Sequence, residues 1–324
     1  MTYVLLMIGF FLLIKGADFF VDGCSSVAKL LKVPSVVIGL TVVAFGTSMP
    51  EASVSINAAL KGANDLAVSN VIGSNIFNLL VVLGACAAIR PLHAKWSVLK
   101  KEFPFSIVIT VILFVAMGGW QISKVIKGEG TFVLGRMGGI ILFVLFIVFV
   151  ASTVMDAVRS RQSIEEAGEP EEEYKVLTPV RTVIYIVGGA VGIVAGGNIV
   201  VSSATDIALQ FGLSQTFIGL TIVALGTSLP ELVTSLVAAG KGENDLALGN
   251  VVGSNVFNIL LILGVSAAIH PITVQITAIY DTLILIASSL VVYLCAFSKK
   301  QFSKFEGTLF LLMYLAFFAY ILIR

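Results

Sequence analysis

Two glutamates stand inside apolar stretches long enough to cross a membrane. Glu51 lies in IGLTVVAFGTSMPEASVS, from Ile38 to Ser55, and Glu231 lies in IGLTIVALGTSLPELVTS, from Ile218 to Ser235. A carboxylate in hydrocarbon is costly and marks a functional site by default. Two of them, at matching places in two copies of one segment, need a joint explanation. Each follows the same short run: Gly46, Thr47, Ser48, Met49 and Pro50 in the first copy, and Gly226, Thr227, Ser228, Leu229 and Pro230 in the second. Proline lacks an N–H and its ring crowds the carbonyl four residues back, so the helix must kink or break there. Carbonyls around Ala44 to Thr47 then lose their partners. Hydrocarbon tolerates that only against protein or around a water-filled cavity. Freed carbonyls, the hydroxyls of Thr47 and Ser48 and the Glu51 carboxylate are all oxygen ligands, and the second copy repeats the arrangement.

A second pair of motifs adds oxygens. GSNIFN, from Gly73 to Asn78, is echoed by GSNVFN, from Gly253 to Asn258. Ser74 and Asn78 are four apart and share a helix face, as do Ser254 and Asn258. Asn75 and Asn255 point elsewhere and are expected to hydrogen-bond between helices. The candidate site holds neither histidine nor thiolate, which disfavours zinc, copper and iron and favours hard cations. Two carboxylates carry two negative charges, which one Ca2+ neutralises. Calcium accepts six to eight oxygens in flexible geometry, whereas Mg2+ demands a tight octahedron. Several Na+ could occupy the same oxygens, and competition for one ligand set is the simplest basis for exchange.

Other readings of these residues stay open. Ser48 and Glu51 fit a capping box that would close the half-helix after the break. The serines and asparagines could be helix–helix contacts. Lys15 and Asp18 are expected to pair or snorkel, and Asp65 and Asp245 to cap helices. The cysteines, Cys24, Cys86 and Cys295, form no CxxC pair and are expected to be packing residues. His93 and His270 sit at span ends, and neither is proposed as a proton carrier. Gly188, Gly189, Gly192, Gly196 and Gly197 would permit either sliding or close packing of one helix.

The elements that must position these residues follow from composition. Hydrophobic residues make up 58% of the 324 and charged residues 12%, against about 25% charged in a soluble domain. Mean hydropathy is +1.04. Lipid must be the solvent, and the net charge of +1 gives no reason to expect nucleic acid. The fold class expected is an all-α integral membrane protein of ten transmembrane helices. Apolar runs place them at Thr2–Phe20, Ser35–Leu60, Leu66–Ile89, Phe103–Gly119, Thr131–Met155, Val180–Ala204, Gln215–Ala239, Leu246–Ile269, Ile276–Phe297 and Phe305–Ile323. Residues 156–178, rich in glutamate, read as an acidic cytoplasmic linker.

Sliding the chain by 180 positions aligns Ile38–Leu92 with Ile218–Ile272 without a gap, and about 34 of the 55 aligned positions are identical, well above the weak symmetry common in transporters. The chain therefore divides into repeats over 1–155 and 179–324. Five helices per repeat is an odd number, so the second enters the membrane from the opposite side. The result is an inverted repeat, which places Glu51 and Glu231 as partners across the midplane. With ten spans, Lys and Arg concentrate on the side opposite the termini, which puts both termini outside the cytoplasm.

The paired GTSMPE and GTSLPE, each followed by GSNIFN or GSNVFN, resemble the two alpha-repeats of the sodium/calcium exchanger family, of the prokaryotic type without a large regulatory loop. Related proton/calcium exchangers typically carry GNxxE where this chain has GTSxPE. The resemblance implies a plasma-membrane antiporter that moves Ca2+ against Na+ by alternating access, with no cofactor, and working as a monomer. It implies that Glu51 and Glu231 are shared ion ligands, and that Thr47 and Thr227 give carbonyls to calcium and sodium. The Ala44 and Ala224 carbonyls and the side chains of Ser48, Ser228, Ser74 and Ser254 would complete outlying sodium sites, with Asn78 and Asn258 flanking the centre. Spans two, three, seven and eight would form the site, and one and six would slide across them. Some members have Asp where this chain has Asn258, and its absence argues against potassium dependence.

Three alternatives remain at this level. A H+/Ca2+ exchanger would use the same glutamates as proton carriers, since desolvation raises a buried carboxylate's pKa. A cation channel would predict an open path through a symmetric oligomer. An intramembrane enzyme would need a catalytic dyad or a metal, and no Ser/Lys, Asp/Asp or His-rich set is present in the sequence.

Overall fold

The computed structural model describes residues 1–60, 64–128, 130, 132–167, 177–212, 222 and 224–323. Backbone polar groups in lipid must be satisfied within the segment, and a chain this apolar accordingly folds as helix. The helices are α1 (Thr2–Leu30), α2 (Ser35–Thr47), α3 (Met49–Leu60), α4 (64–89), α5 (98–116), α6 (Ile122–Lys127), α7 (Arg136–Ala167), α8 (Pro179–Gln210), α9 (Leu229–Gly240), α10 (Asn244–Ile269), α11 (Ile276–Lys299) and α12 (Lys304–Ile323). The strands are β1 (Leu92–His93), β2 (Phe132–Leu134), β3 (Ile272–Val274) and β4 (Gln301–Phe302).

Seven helices among the described residues are long and apolar enough to cross a membrane, and α2 with α3 makes an eighth if counted as one broken span. At the predicted fourth and seventh positions, α5 and α9 do not meet that measure, and residues 215–221 and 223 of the predicted seventh span lie outside the described residues. Val180, Val183, Val187 and Val191 recur on one face of α8, each more than half exposed. Such a stripe is suited to lipid.

Three helices run more than a turn past their predicted ends, α8 reaching Gln210 instead of Ala204. α1 continues past Phe20 to Leu30, because Val21, Cys24 and Ala28 extend its buried face. α7 runs on through residues 156–167, so the first part of the predicted linker is helical. Residues 168–176, with most of the acidic run, lie outside the described residues, as do Lys61, Arg324 and the Asp65 side chain.

The chain forms two compact units, and each draws on both sequence halves. The first comprises Met1–Thr47 and Phe149–Gly253, the second Ser48–Val148 and Ser254–Arg324. In the first unit α1 and α8 pack backbone to backbone. A Cβ built on Gly16 would sit 2.7 Å from Ile193 N, on Gly189 2.6 Å from Phe20 N, and on Gly196 2.5 Å from Leu13 N. Gly192 faces the same seam, at 3.1 Å from Gly16 Cα. Gly188 has no described atom within 4 Å, and Gly197 looks toward Pro230 at 3.8 Å. At the end of α9, Lys241 Nζ lies 2.6 Å from carboxylate oxygens of both Asp18 and Asp22, and Lys15 pairs with Asp18 at 3.5 Å. Burial works against the Lys241 charge, but its hydrogen bonds to Asp18 and Asp22 outweigh that and hold its pKa above the ordinary lysine value.

In the second unit α3 packs on α4 and on the C-terminal part of α10, and α12 packs on the end of α4. There a Cβ on Gly307 would lie 2.5 Å from Ala88 N. Two short antiparallel ribbons, absent from the sequence reading, join the repeats: β1 pairs β4 through Leu92 and Phe302, and β2 pairs β3 through Phe132 and Val274. Cys24 and Cys86 are buried, Cys295 is half-buried, and all three are free thiols.

Candidate functional site

The prolines do to the backbone what their chemistry requires. α2 ends at Thr47 and α3 begins at Met49, with Pro50 in its first turn. In the second copy a helical turn, Ala224–Gly226, stops before α9, which carries Pro230 in its opening turn, where the missing N–H costs nothing. Glu51 and Glu231 therefore occupy the first turns of α3 and α9. A helix N-terminus favours the carboxylate there. Both residues are fully buried. Ser228 takes the N-cap position of α9, but its hydroxyl makes no capping bond and its N–H donates to the Leu225 carbonyl. The capping box therefore does not form in the second copy, and it does not explain Glu231.

The first unit holds Ala44, Thr47, Ala224, Thr227, Ser228 and Glu231. Thr47, Ser228 and Glu231 are buried, and Thr227 is half-buried. Asn250 on α10, which lies outside the motifs described above, links Thr47 to the turn bearing Glu231. Its Nδ2 donates to Ser235 Oγ at 2.9 Å and to the Glu231 carbonyl at 3.4 Å. Its Oδ1 lies 3.0 Å from Thr47 Oγ1, which is also 3.2 Å from the Val43 carbonyl. One hydroxyl proton serves one of these acceptors at a time. Asn250 thus pins the turn bearing Glu231 and reaches the end of α2. The sequence carried a signal for it, since Asn70 and Ser55 occupy the equivalent positions of the first repeat. There Asn70 Nδ2 donates to Ser55 Oγ at 3.0 Å within the second unit.

The second unit holds Ser48, Glu51, Ser74, Asn78, Ser254 and Asn258. α3, bearing Glu51, packs on α4 and on the segment Phe257–Leu263, so the helices bearing Glu51, Ser74 and Asn258 meet. Asn78 and Asn258 lie in wide π-helical turns, Asn78–Val82 and Phe257–Leu263. Such turns break the regular ladder and recur at functional sites. Asn75 and Asn255 do hydrogen-bond between helices. Asn75 Nδ2 donates to the Asn255 carbonyl at 3.2 Å, and Asn255 Nδ2 to the Asn75 carbonyl at 3.3 Å. Asn258 Nδ2 donates to Asn75 Oδ1 at 2.9 Å, and Asn78 Nδ2 to Asn255 Oδ1 at 3.2 Å.

That leaves Asn78 Oδ1 and Asn258 Oδ1 enclosed, with no hydrogen-bond partner among the described residues. Both residues are fully buried. A buried acceptor without a donor costs about 1–3 kcal/mol. A cation relieves that cost without a proton, and hard cations take such neutral oxygens beside carboxylates.

A profile described as "Sodium/calcium exchanger protein" matches residues 1–155 and 181–323. The chain belongs to the sodium/calcium exchanger family. It is 32% identical to the sodium/calcium exchanger MaX1 of Methanosarcina acetivorans, over 98% of this chain and 97% of that one. It is 35% identical to the inner membrane protein YrbG of Escherichia coli, over 82% and 79%. A solved structure of the sodium-calcium exchanger NCX_Mj, soaked with Na+ and Sr2+, superposes with a TM-score of 0.81 at 31% identity, covering 98% of each chain. As a member of this family the chain is a transporter of the prokaryotic type. The matched segments leave out residues 156–180, which contain the acidic run.

Proposed function

We propose that this chain is a secondary active antiporter that exchanges Na+ for Ca2+ across the plasma membrane by alternating access. The observation that carries the reading is the pair of enclosed amide oxygens, Asn78 Oδ1 and Asn258 Oδ1, without hydrogen-bond donors among the described residues, in a chain of this family. Glu51 and Glu231 supply two negative charges. Thr47, Thr227, Ala44 and Ala224 offer backbone carbonyls, and Ser48, Ser228, Ser74 and Ser254 offer hydroxyl oxygens. One Ca2+ neutralises the two carboxylates, and Na+ competes for the same oxygens, so the two cargoes exclude one another. The protein has ten spans in two inverted five-helix repeats, over 1–155 and 179–324, with residues 156–178 as a cytoplasmic connection and both termini extracytoplasmic. It works as a monomer. The repeat within one chain favours alternating access over a pore at an oligomer axis. Two relatives support the cargo and the membrane by their names, MaX1 as a sodium/calcium exchanger and YrbG as an inner membrane protein.

The experiment is uptake of radiolabelled Ca2+ into proteoliposomes loaded with Na+. Uptake should require an outward Na+ gradient and disappear in Glu51→Gln and Glu231→Gln. Uptake that ignores Na+ and follows a proton gradient would instead make the protein a H+/Ca2+ exchanger. Flux without any counter-ion would make it a channel.

A further inference from the structure

The four asparagines of the two GSNxFN motifs form one closed network inside the second unit. We infer that Asn75 and Asn255, which are not ion ligands in the reading above, are positioning residues that force the amide oxygens of Asn258 and Asn78 toward the cation. The inference rests on that reading for the identity of the cation. An amide side chain has an oxygen end and an N–H2 end of nearly equal size, and its orientation follows from its partners. Here the backbone decides it. A carbonyl can only accept, so the Asn75 end that meets the Asn255 carbonyl must be Nδ2, and the Asn255 end that meets the Asn75 carbonyl must also be Nδ2.

The opposite ends are then both Oδ1. Asn75 Oδ1 accepts from Asn258 Nδ2, and Asn255 Oδ1 accepts from Asn78 Nδ2. Each ligand asparagine is thereby held by its nitrogen, and its oxygen is turned the other way, enclosed and without a donor among the described residues. A reversed amide would aim N–H groups at a cation and set two oxygens against each other at 2.9 Å in the Asn258 pair. The lock is reciprocal, because each repeat's bridging asparagine orients the ligand asparagine of the other. A contact serving only to join helices would need neither the reciprocal donation to carbonyls nor a consistent direction along the chain of bonds.

The test is equilibrium binding of Ca2+ to the purified full-length protein, which does not depend on coupling to Na+. Asn75→Ala should weaken Ca2+ binding about tenfold, the size of one oriented hydrogen bond lost. Added to Asn258→Ala, it should change nothing further, because the group it orients is gone. Added to Asn258→Asp, it should again cost nothing, because a carboxylate presents oxygen whichever way it turns. The mirror series, Asn255→Ala alone and on Asn78→Ala or Asn78→Asp, is an independent arm should one bridging variant fold poorly. A constant loss in all three backgrounds of either series overturns the inference and leaves the bridging asparagines as helix–helix contacts. Absence of Ca2+ binding by the unaltered protein overturns the inference and the proposed function together. Ca2+ binding with no Na+-driven uptake overturns the function alone.

Discussion

Gly188 and Gly189 are neighbours on α8, and alanine at the two positions should have opposite effects. At Gly189 a Cβ would lie 2.6 Å from Phe20 N and 2.7 Å from Gly16 O, and at Gly196 it would lie 2.5 Å from Leu13 N and 2.8 Å from Gly9 O. The atoms met are backbone, so no side chain can swing aside. Non-bonded heavy atoms settle at about 3.5–4.0 Å, so α1 must retreat by roughly an ångström. Forcing extra volume into a packed seam costs about 1–3 kcal/mol. Alanine's better helix propensity returns up to about 1 kcal/mol of this. At Gly188, with no described atom within 4 Å, only the propensity gain remains. Gly188→Ala should therefore raise the thermal midpoint slightly, while Gly189→Ala and Gly196→Ala lower it by several degrees. Heating in detergent with a thiol-reactive dye reads this directly once Cys295 is replaced by Ser, because Cys24 on α1 and Cys86 are buried in the folded protein. Equal midpoints for the three variants, or Gly188→Ala as the most harmful, would refute the reasoning. α1 and α8 would then not meet through this seam.

Two further outcomes follow from buried polar geometry. Asn250→Ala removes the amide donor that reaches Ser235 Oγ and the Glu231 carbonyl, while the Thr47 hydroxyl keeps the Val43 carbonyl, so it should cost about 1–3 kcal/mol and also weaken Ca2+ uptake. A normal thermal midpoint in detergent would contradict it. Ser303 and Glu306 form a capping box at the start of α12, with Ser303 N donating to Glu306 Oε2 at 2.7 Å and Glu306 N donating to Ser303 Oγ at 3.4 Å. Ser303→Ala should cost about 0.5–2 kcal/mol, read as faster amide hydrogen exchange confined to the first turn of α12.

Much of the candidate site was legible because its chemistry is local. Pro50 and Pro230 break their helices wherever those helices sit, and a glutamate beside each break is conspicuous in an apolar run. The gapless repeat made each observation count twice. The capping box was equally legible as a pattern, and in the second copy the structure rejects it, since Ser228 makes no capping bond. Asn250 has no distinctive local pattern, because a lone asparagine in a small-residue helix looks like any helix contact. Its recurrence at Asn70 was the only signal. The π-helical turns at Asn78–Val82 and Phe257–Leu263, and the two β ribbons, had no signature of their own. A π turn reflects one residue more than the ladder accommodates, and a two- or three-residue strand exists only because its partner lies beside it.

By itself the sequence determined that the chain is helical and lipid-embedded, because so few charges cannot solvate so much apolar surface. It also determined where the helices break and where the carboxylates stand. The tertiary structure alone decided which of two adjacent glycines touches another backbone, because one residue turns a helix face by roughly 100 degrees. It alone decided which end of each asparagine amide faces outward, because that end is set by a carbonyl about 180 positions away in the chain, a distance over which local preference has no hold.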